Sequence, residues 1–309
     1  MQKRTWFVAS LVCLVGLRGA GCATQTAPSY DAAGSVTDGA FLTAPLWNDG
    51  QAEVAFYEVE RTHRQEGQDV PQRFLAGTYL VKHAFDRAAM SKAGPDAPQS
   101  LSAFKYALFY EFESGSYQYK HNYVINAAQA DLTPLKASFT SFDWCSNVYS
   151  ELAFHARGTV DALMRSDDYG NRTGTFAYRP QAYPIHLLPL LVRSLDFSGT
   201  QDLTFFVVED DGAYVRVQAH RDGLVSIELP FGGTKAERIV LTYDVPVRSL
   251  ISRETDSVET YWRGTGPARQ LLRIEGASGR YRMSLVEELR TAYWREDLWL
   301  RLARVSQRP

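Results

Sequence analysis

The stretch FKYALFYEFESGSYQYKHNYVI, residues 104–125, decides the fold. Phe104, Tyr106, Leu108, Tyr110 and Phe112 recur at every second position, and Tyr117, Tyr119, His121, Tyr123 and Ile125 repeat the rhythm after a gap. A period of two places each set on one face of an extended strand, because successive side chains of a strand point to opposite faces. Between the sets, Glu113-Ser114-Gly115-Ser116 supplies a turn, since glycine tolerates positive φ and serine hydroxyls satisfy released backbone groups. The two runs predict an antiparallel hairpin.

Working outward, the same signal marks strands at Glu53–Arg61, Phe74–Phe85, Ala137–Trp144, Val148–Phe154 and Thr173–Tyr178. A second series runs Leu203–Val208, Tyr214–His220, Leu224–Leu229, Arg238–Tyr243, Val258–Trp262, Gln270–Glu275 and Tyr281–Val286. Asp211-Gly212, Asp222-Gly223 and Ser278-Gly279 read as tight turns. Connections this short leave no room for parallel crossovers, which need a dozen or more residues. One interruption, Tyr183–Leu195, carries Leu187, Leu188, Leu191 and Leu195 at helical spacing, with Pro184 in the first turn and a kink expected at Pro189. At the end, Trp294, Leu298, Leu302 and Val305 form a stripe on a terminal helix. The expectation is an all-β fold: a strongly curved, mainly antiparallel sheet, half-barrel or barrel-like, in two halves joined by a short helix, with a C-terminal helix.

The chain has 309 residues, with 6 Trp, 17 Tyr and 16 Phe, enough apolar and aromatic material for a sizeable core. A formal charge of −2 gives no basic field to recruit nucleic acid. Lys3 and Arg4 precede an apolar run from Trp6 to Leu17, too short for a bilayer span of roughly 20 residues, and Gly19-Ala20-Gly21 then lead to Cys22. This pattern resembles the signal and lipobox of bacterial lipoproteins. The resemblance implies a signal peptide over residues 1–21, acylation of Cys22, and, from Ala23 in the next position, an outer-membrane destination facing the periplasm. Removing residues 1–21 takes away Lys3, Arg4 and Arg18 and no acids, moving the charge from −2 to −5. Residues 22–50, rich in small polar residues, read as a flexible lipid-anchored tether, residues 51–290 as the β body with a helix near 184–195, and residues 291–309 as the terminal helix and tail.

The body also resembles uncharacterised exported bacterial all-β proteins with a Trp-Cys pair. The segments that carry the likeness are Gln51–Glu58, Asp143-Trp144-Cys145, Leu188–Phe197, and Tyr261-Trp262 with Leu271–Gly276. The likeness implies a curved antiparallel sheet.

Catalytic motifs are sparse. With Cys22 acylated, Cys145 is the one thiol placed to serve a hydrolase or redox enzyme, but neighbouring Asp143 opposes thiolate formation and a buried thiol is the ordinary fate. His63, His83, His121, His155, His186 and His220 stand singly, without metal-ligand spacing. Glu58 and Glu60, and Glu111 and Glu113, share strand faces without showing the unlike environments that acid–base work needs. Gly264-Thr265-Gly266 lacks the rest of a dinucleotide fingerprint, and Tyr117, Tyr119 and Tyr123 with Lys120 read as sheet walls rather than a stacking platform. No cofactor, metal or nucleic acid is expected. The functional expectation is a membrane-anchored envelope protein with a binding or structural role, holding an apolar or lipid-like small molecule in the curved sheet; the alternative is an envelope hydrolase or thiol-dependent enzyme using Cys145.

Overall fold

The structure, a computed structural model, describes residues 35–306 apart from 66, 95–96, 98–99, 115–116, 144–145, 169 and 249–254. The expected signal peptide, Cys22, the first part of the tether, and Cys145 lie outside these residues.

Sixteen strands are present among the described residues: β1 Ala52–Gln65, β2 Gln68–Asp86, β3 Ser91–Lys92, β4 Ser100–Ser114, β5 Tyr117–Ala128, β6 Pro134–Phe142, β7 Asn147–His155, β8 Thr159–Ser166, β9 Arg172–Ala177, β10 Ala182–Pro184, β11 Asp202–Val208, β12 Tyr214–Leu229, β13 Gly232–Arg248, β14 Thr255–Gly264, β15 Leu271–Gly276 and β16 Tyr281–Thr291. Apart from β3, which pairs with β2, they lie in the order β10-β11-β12-β13-β14-β15-β16-β1-β2-β4-β5-β6-β7-β8-β9. Pairing is antiparallel except for the short parallel match of β10 with β11. The hairpin read from residues 104–125 is β4–β5, with Tyr110 opposite His121 and Phe112 opposite Tyr119. The two halves of the sheet join where β16 lies along β1, Ala52 opposite Thr291.

The sheet must curl. Laid flat at about 4.8 Å per strand, its fifteen-strand path would span roughly 70 Å. Yet Val160 on β8 and Val207 on β11, near opposite ends of the strand order, belong to one core with the mid-chain helix. The edges also approach each other: Phe176 on β9 meets Tyr214 on β12 edge-on at 5.9 Å, and the Tyr214 hydroxyl donates to the Ala177 carbonyl at 2.9 Å. Backbone pairing does not close the ring, so the sheet is curved and open, as expected from sequence.

Its concave face is full. Residues Ile185–Leu187 form a 3-10 turn and α1, Leu188–Ser194, follows; every residue from Leu187 to Leu195 is buried. Pro189 sits in the first turn of α1, where its missing N–H is harmless, instead of kinking a longer helix. The stretch expected to be tether up to Gly50 is, from Ser35 onward, part of the body. A short helical turn, Gly39–Leu42, and a 3-10 turn, Pro45–Asn48, place Phe41, Leu42 and Trp47 in the same core. Phe41, Trp47 and Phe104 pack edge-to-face at 5.6 and 5.5 Å, and the Trp47 indole donates to the Phe41 carbonyl at 2.8 Å.

On the convex side the last helix, α2 Leu298–Ser306, covers β1, β2, β4 and β16 with Leu298, Leu302 and Val305. Trp294, expected in that stripe, is exposed in the 3-10 turn Tyr293–Arg295 that precedes it. The described residues thus form a large core inside the sheet, a smaller one under α2, and a third small cluster of Phe85, Ala103 and Leu135.

Four strand readings differ from expectation; two are the short β3 and β10, and β10 takes Tyr183 and Pro184 out of the helix expected over Tyr183–Leu195, because they pair with Val207 and Val208. Asp222-Gly223 does not end a strand: β12 continues through it with a register shift between Arg221 and Gly223, and the positive φ of Gly223 (103°) serves that bulge. β8 was not anticipated, because Ala162-Leu163-Met164-Arg165 are helix formers held extended only by pairing with β7 and β9.

Candidate functional site: a groove at the hairpin end

Strand register sorts the two ends of the curved sheet. The turns β1–β2, β4–β5, β11–β12 and β15–β16 share one end, here the hairpin end. The opposite end is plugged by residues 35–50 and the C-terminal end of α1: Thr37 bridges Leu195, and the Asp38 N–H donates to the Ser194 carbonyl at 2.7 Å.

At the plugged end, buried charge is fully committed. Arg193 makes a bidentate pair with Glu53 at 2.7 and 2.8 Å, each side chain less than 5% exposed, and its guanidinium also donates to the carbonyls of Ala268 and Arg269. Arg263 donates to the carbonyls of Val192, Arg193 and Leu195, satisfying the otherwise open end of α1, and pairs with Glu237 at 2.5 Å. These arginines clamp the helix into the sheet.

The hairpin end is different. A groove of about 530 Å³ runs between the β1–β2 and β15–β16 hairpins, lined by Arg61, Arg73, Arg280 and Arg282, by Glu60 and Glu275, and by Thr62, Gln72 and Tyr281. An adjoining hollow of about 260 Å³ shares Gln72 and Arg73 and adds the rings of Phe74 and Phe112 with Glu111 and Glu113. Arg61 is held for its position: its guanidinium lies over Phe112 and Phe74, 4.2 and 4.9 Å from the ring centroids, and donates to Gln72 Oε1 at 2.9 Å. The other arginines sit in water-exposed pairs, Arg73 with Glu58, Arg282 with Glu60, and Arg280 with Asp69 at 2.7 Å. The hydrogen bond from Arg280 holds the Asp69 carboxyl below the usual carboxylate range.

Tyr281 links the groove to a buried carboxylate. Glu259, 2% exposed on β14, accepts hydrogen bonds from the hydroxyls of Tyr281, Tyr243 (2.6 Å) and Tyr261 (2.8 Å). Burial pushes the Glu259 carboxyl up, and the three phenol bonds only partly oppose that shift. Gly276 opposite Glu259 has no room for a side chain: a Cβ there would come within 2.5 Å of both Tyr281 and Asp256.

Residues singled out in the sequence scatter around this frame. Tyr119 and Tyr123 face inward, stacked on Phe112 (5.2 Å) and Phe139 (4.4 Å), while Lys120 points outward to Glu111. Alternation thus splits the tyrosine–lysine set across two faces. Glu58 and Glu60 serve the groove arginines, not an opposed acid–base pair. His121 and His186 converge on Tyr110 and Tyr123: His121 Nδ1 is 3.1 Å from the Tyr110 hydroxyl, and the His186 ring lies 3.9 Å from Tyr123, with Nε2 3.5 Å from Asp210. His83, His155 and His220 each meet a separate partner, Asn126, Asp161 and Asp202. Among the described residues, no group of three or more His, Cys, Asp or Glu is placed to hold a metal. Gly264-Thr265-Gly266 begins on the last residue of β14, where the Gly264 N–H donates to the Gln270 carbonyl. The Glu259 cluster escaped sequence reading, because its four members lie on β13, β14 and β16 and only the register brings them together.

Comparison with protein-family models finds no match, and no curated protein matches the chain. A solved structure similar to it is that of the β-barrel-like protein of a domain of unknown function, DUF1849, from Brucella abortus, with a TM-score of 0.43 and 8% sequence identity over 77% of this chain and 97% of the other.

Proposed function

We propose that the protein is a lipid-anchored binding protein of the bacterial cell envelope. It is held through Cys22 at the outer membrane, faces the periplasm, and takes a lipid-like ligand by its anionic head at the hairpin-end groove. The observation that carries this reading is the contrast in space: the concave face expected to receive an apolar ligand is filled by the chain itself, whereas the groove is open and lined by four arginines against two glutamates. Ion pairs that water reaches contribute little, so a ligand anion can take the place of Asp69 at Arg280. Guanidinium forks suit phosphate and carboxylate geometry, and the partly buried ring of Phe74 lines the adjoining hollow.

The test uses the full-length Cys22→Ser chain, which cannot be acylated, and short-chain phosphatidylglycerol kept below its micelle concentration. Calorimetry should show saturable binding, weaker binding of phosphatidylcholine of equal chain length, and a loss of about tenfold on Arg280→Ala, equivalent to about 1.4 kcal/mol. Equal affinity for both lipids, or none for either, would contradict the proposal. Radiolabelled palmitate should enter the native chain in cells and not the Cys22→Ser chain; label in both would place the anchor elsewhere.

A further inference from the structure

The convex face carries a continuous file of aromatic rings. Trp294 lies edge-on to Tyr293 at 5.5 Å, Tyr293 stacks on Tyr79 at 4.4 Å, Tyr79 adjoins Phe109 at 6.4 Å, and Phe109 meets Trp299 at 5.1 Å. Phe109 is buried and Tyr79 and Tyr293 are half-buried, whereas Trp294 is 56% exposed, Leu300 49% and Trp299 39%. Cations flank the file. The Lys105 ammonium lies 5.4 Å from the Tyr79 ring and the Lys120 ammonium 5.4 Å from Trp299, while Arg295 and Arg304 are exposed on the terminal segment. Phe142, also exposed, is the cross-strand partner of Lys120.

Helical geometry explains the split. Leu298, Leu302 and Val305 recur at one-turn spacing and go down onto the sheet, so Trp299, Leu300, Ala303 and Arg304 are turned outward. Nearby acids are engaged locally. Glu111 pairs with Lys120, Glu287 and Glu296 pair with Arg301, and Asp297 accepts the Leu300 N–H at the positive end of the helix.

We propose that this ridge docks on the surface of an anionic phospholipid bilayer, with Trp294, Trp299 and Leu300 at the boundary of head groups and acyl chains. Indole rings favour that boundary, and each Lys or Arg near an anionic surface adds electrostatic attraction. The choice of a bilayer over a protein partner rests on this charge match and, through the anchoring proposed above, on reach. Twelve residues lie between Cys22 and Ser35, a span of at most about 45 Å, so an acylated chain keeps the body beside the leaflet at high effective concentration.

The full-length Cys22→Ser chain isolates this surface from the anchor. It should cosediment with vesicles of phosphatidylcholine and phosphatidylglycerol in equal parts, with a blue shift of tryptophan emission, and bind pure phosphatidylcholine at least fivefold more weakly. Salt should loosen the complex. Leu300→Asp, a change at an exposed position, should lower vesicle binding about tenfold with an unaltered melting temperature, and Trp294→Ala should lower it in the same direction. Arg280→Ala should leave vesicle binding in place, while Leu300→Asp leaves soluble-lipid binding in the groove unaltered, so each proposal can fail alone. Vesicle binding that ignores both ridge variants, absence of binding to the anionic vesicles, or a dimer in sedimentation velocity that Leu300→Asp dissociates without any effect on vesicles, would overturn the assignment.

Discussion

The two ends of the curved sheet use the same residue types for opposite purposes. At the plugged end, Arg193 and Arg263 are buried, and their ion pairs and hydrogen bonds fasten the helix to the strands and loop around it: Glu53, Glu237 and the carbonyls of residues 192, 193, 195, 268 and 269. At the hairpin end, Arg73, Arg280 and Arg282 sit in pairs that water already reaches. The lesson is that charge content alone says little. A buried, fully satisfied pair is a fastener whose removal unfolds, whereas an exposed pair can be exchanged for a ligand with the fold intact.

Breaking the fastener should have the largest effect. Arg193→Met leaves Glu53 buried without its cation and should lower unfolding free energy by about 3–5 kcal/mol in urea titration. A loss under about 1 kcal/mol would mean that α1 is held by apolar packing alone. Next comes Gly77→Ala. The Phe109 ring covers Gly77 on the convex face, and an added methyl would be driven into it, so overpacking should take about 1–3 kcal/mol and loosen α2 through the Phe109–Trp299 contact. The readout is the melting curve together with tryptophan emission.

At the hairpin end, the Glu259 cluster gives a smaller, pH-dependent signal. Burial raises its carboxyl above the ordinary value, so the folded protein holds this proton more tightly than the unfolded chain does. The stabilisation is complete below the ordinary glutamate range, about pH 4, and is lost as pH rises through the raised folded value. Glu259→Gln is neutral throughout and should remove that decline, so its urea midpoint should fall less than that of the native protein between acid and neutral pH. Parallel profiles for the two proteins would show that Glu259 does not titrate in this way. Arg280→Ala should be the mildest in stability, because its pair with Asp69 is open to water; its main effect belongs to binding.

The same contrast explains what the sequence could reveal. Strands β4 and β5 were legible because Phe104–Phe112 and Tyr117–Ile125 alternate strictly, and alternation is a local property. Leu188 and Leu191 revealed a helix for the same reason, but not that it lies inside the sheet, since an all-round apolar helix and a one-sided one differ only in what surrounds them. Residues 35–50 read as a tether because their small and polar residues outnumber Phe41, Leu42 and Trp47, and those three suffice to seat the segment. Gly223 was misread because a tight turn and a bulge both exploit positive φ. The groove and the Glu259 cluster depend on register between strands distant in the chain, which no local pattern records.

The central claim is that the concave face is occupied by the chain itself, leaving ligand binding to the hairpin end. Hydrogen exchange at the amides of Leu191–Ser194 tests it most directly. The account predicts that these amides exchange only through global unfolding, at the rate of the protected core strands, and that an added apolar probe leaves them unchanged. Exchange within minutes, slowed by such a probe, would show that α1 leaves the sheet and that the concavity is the binding site.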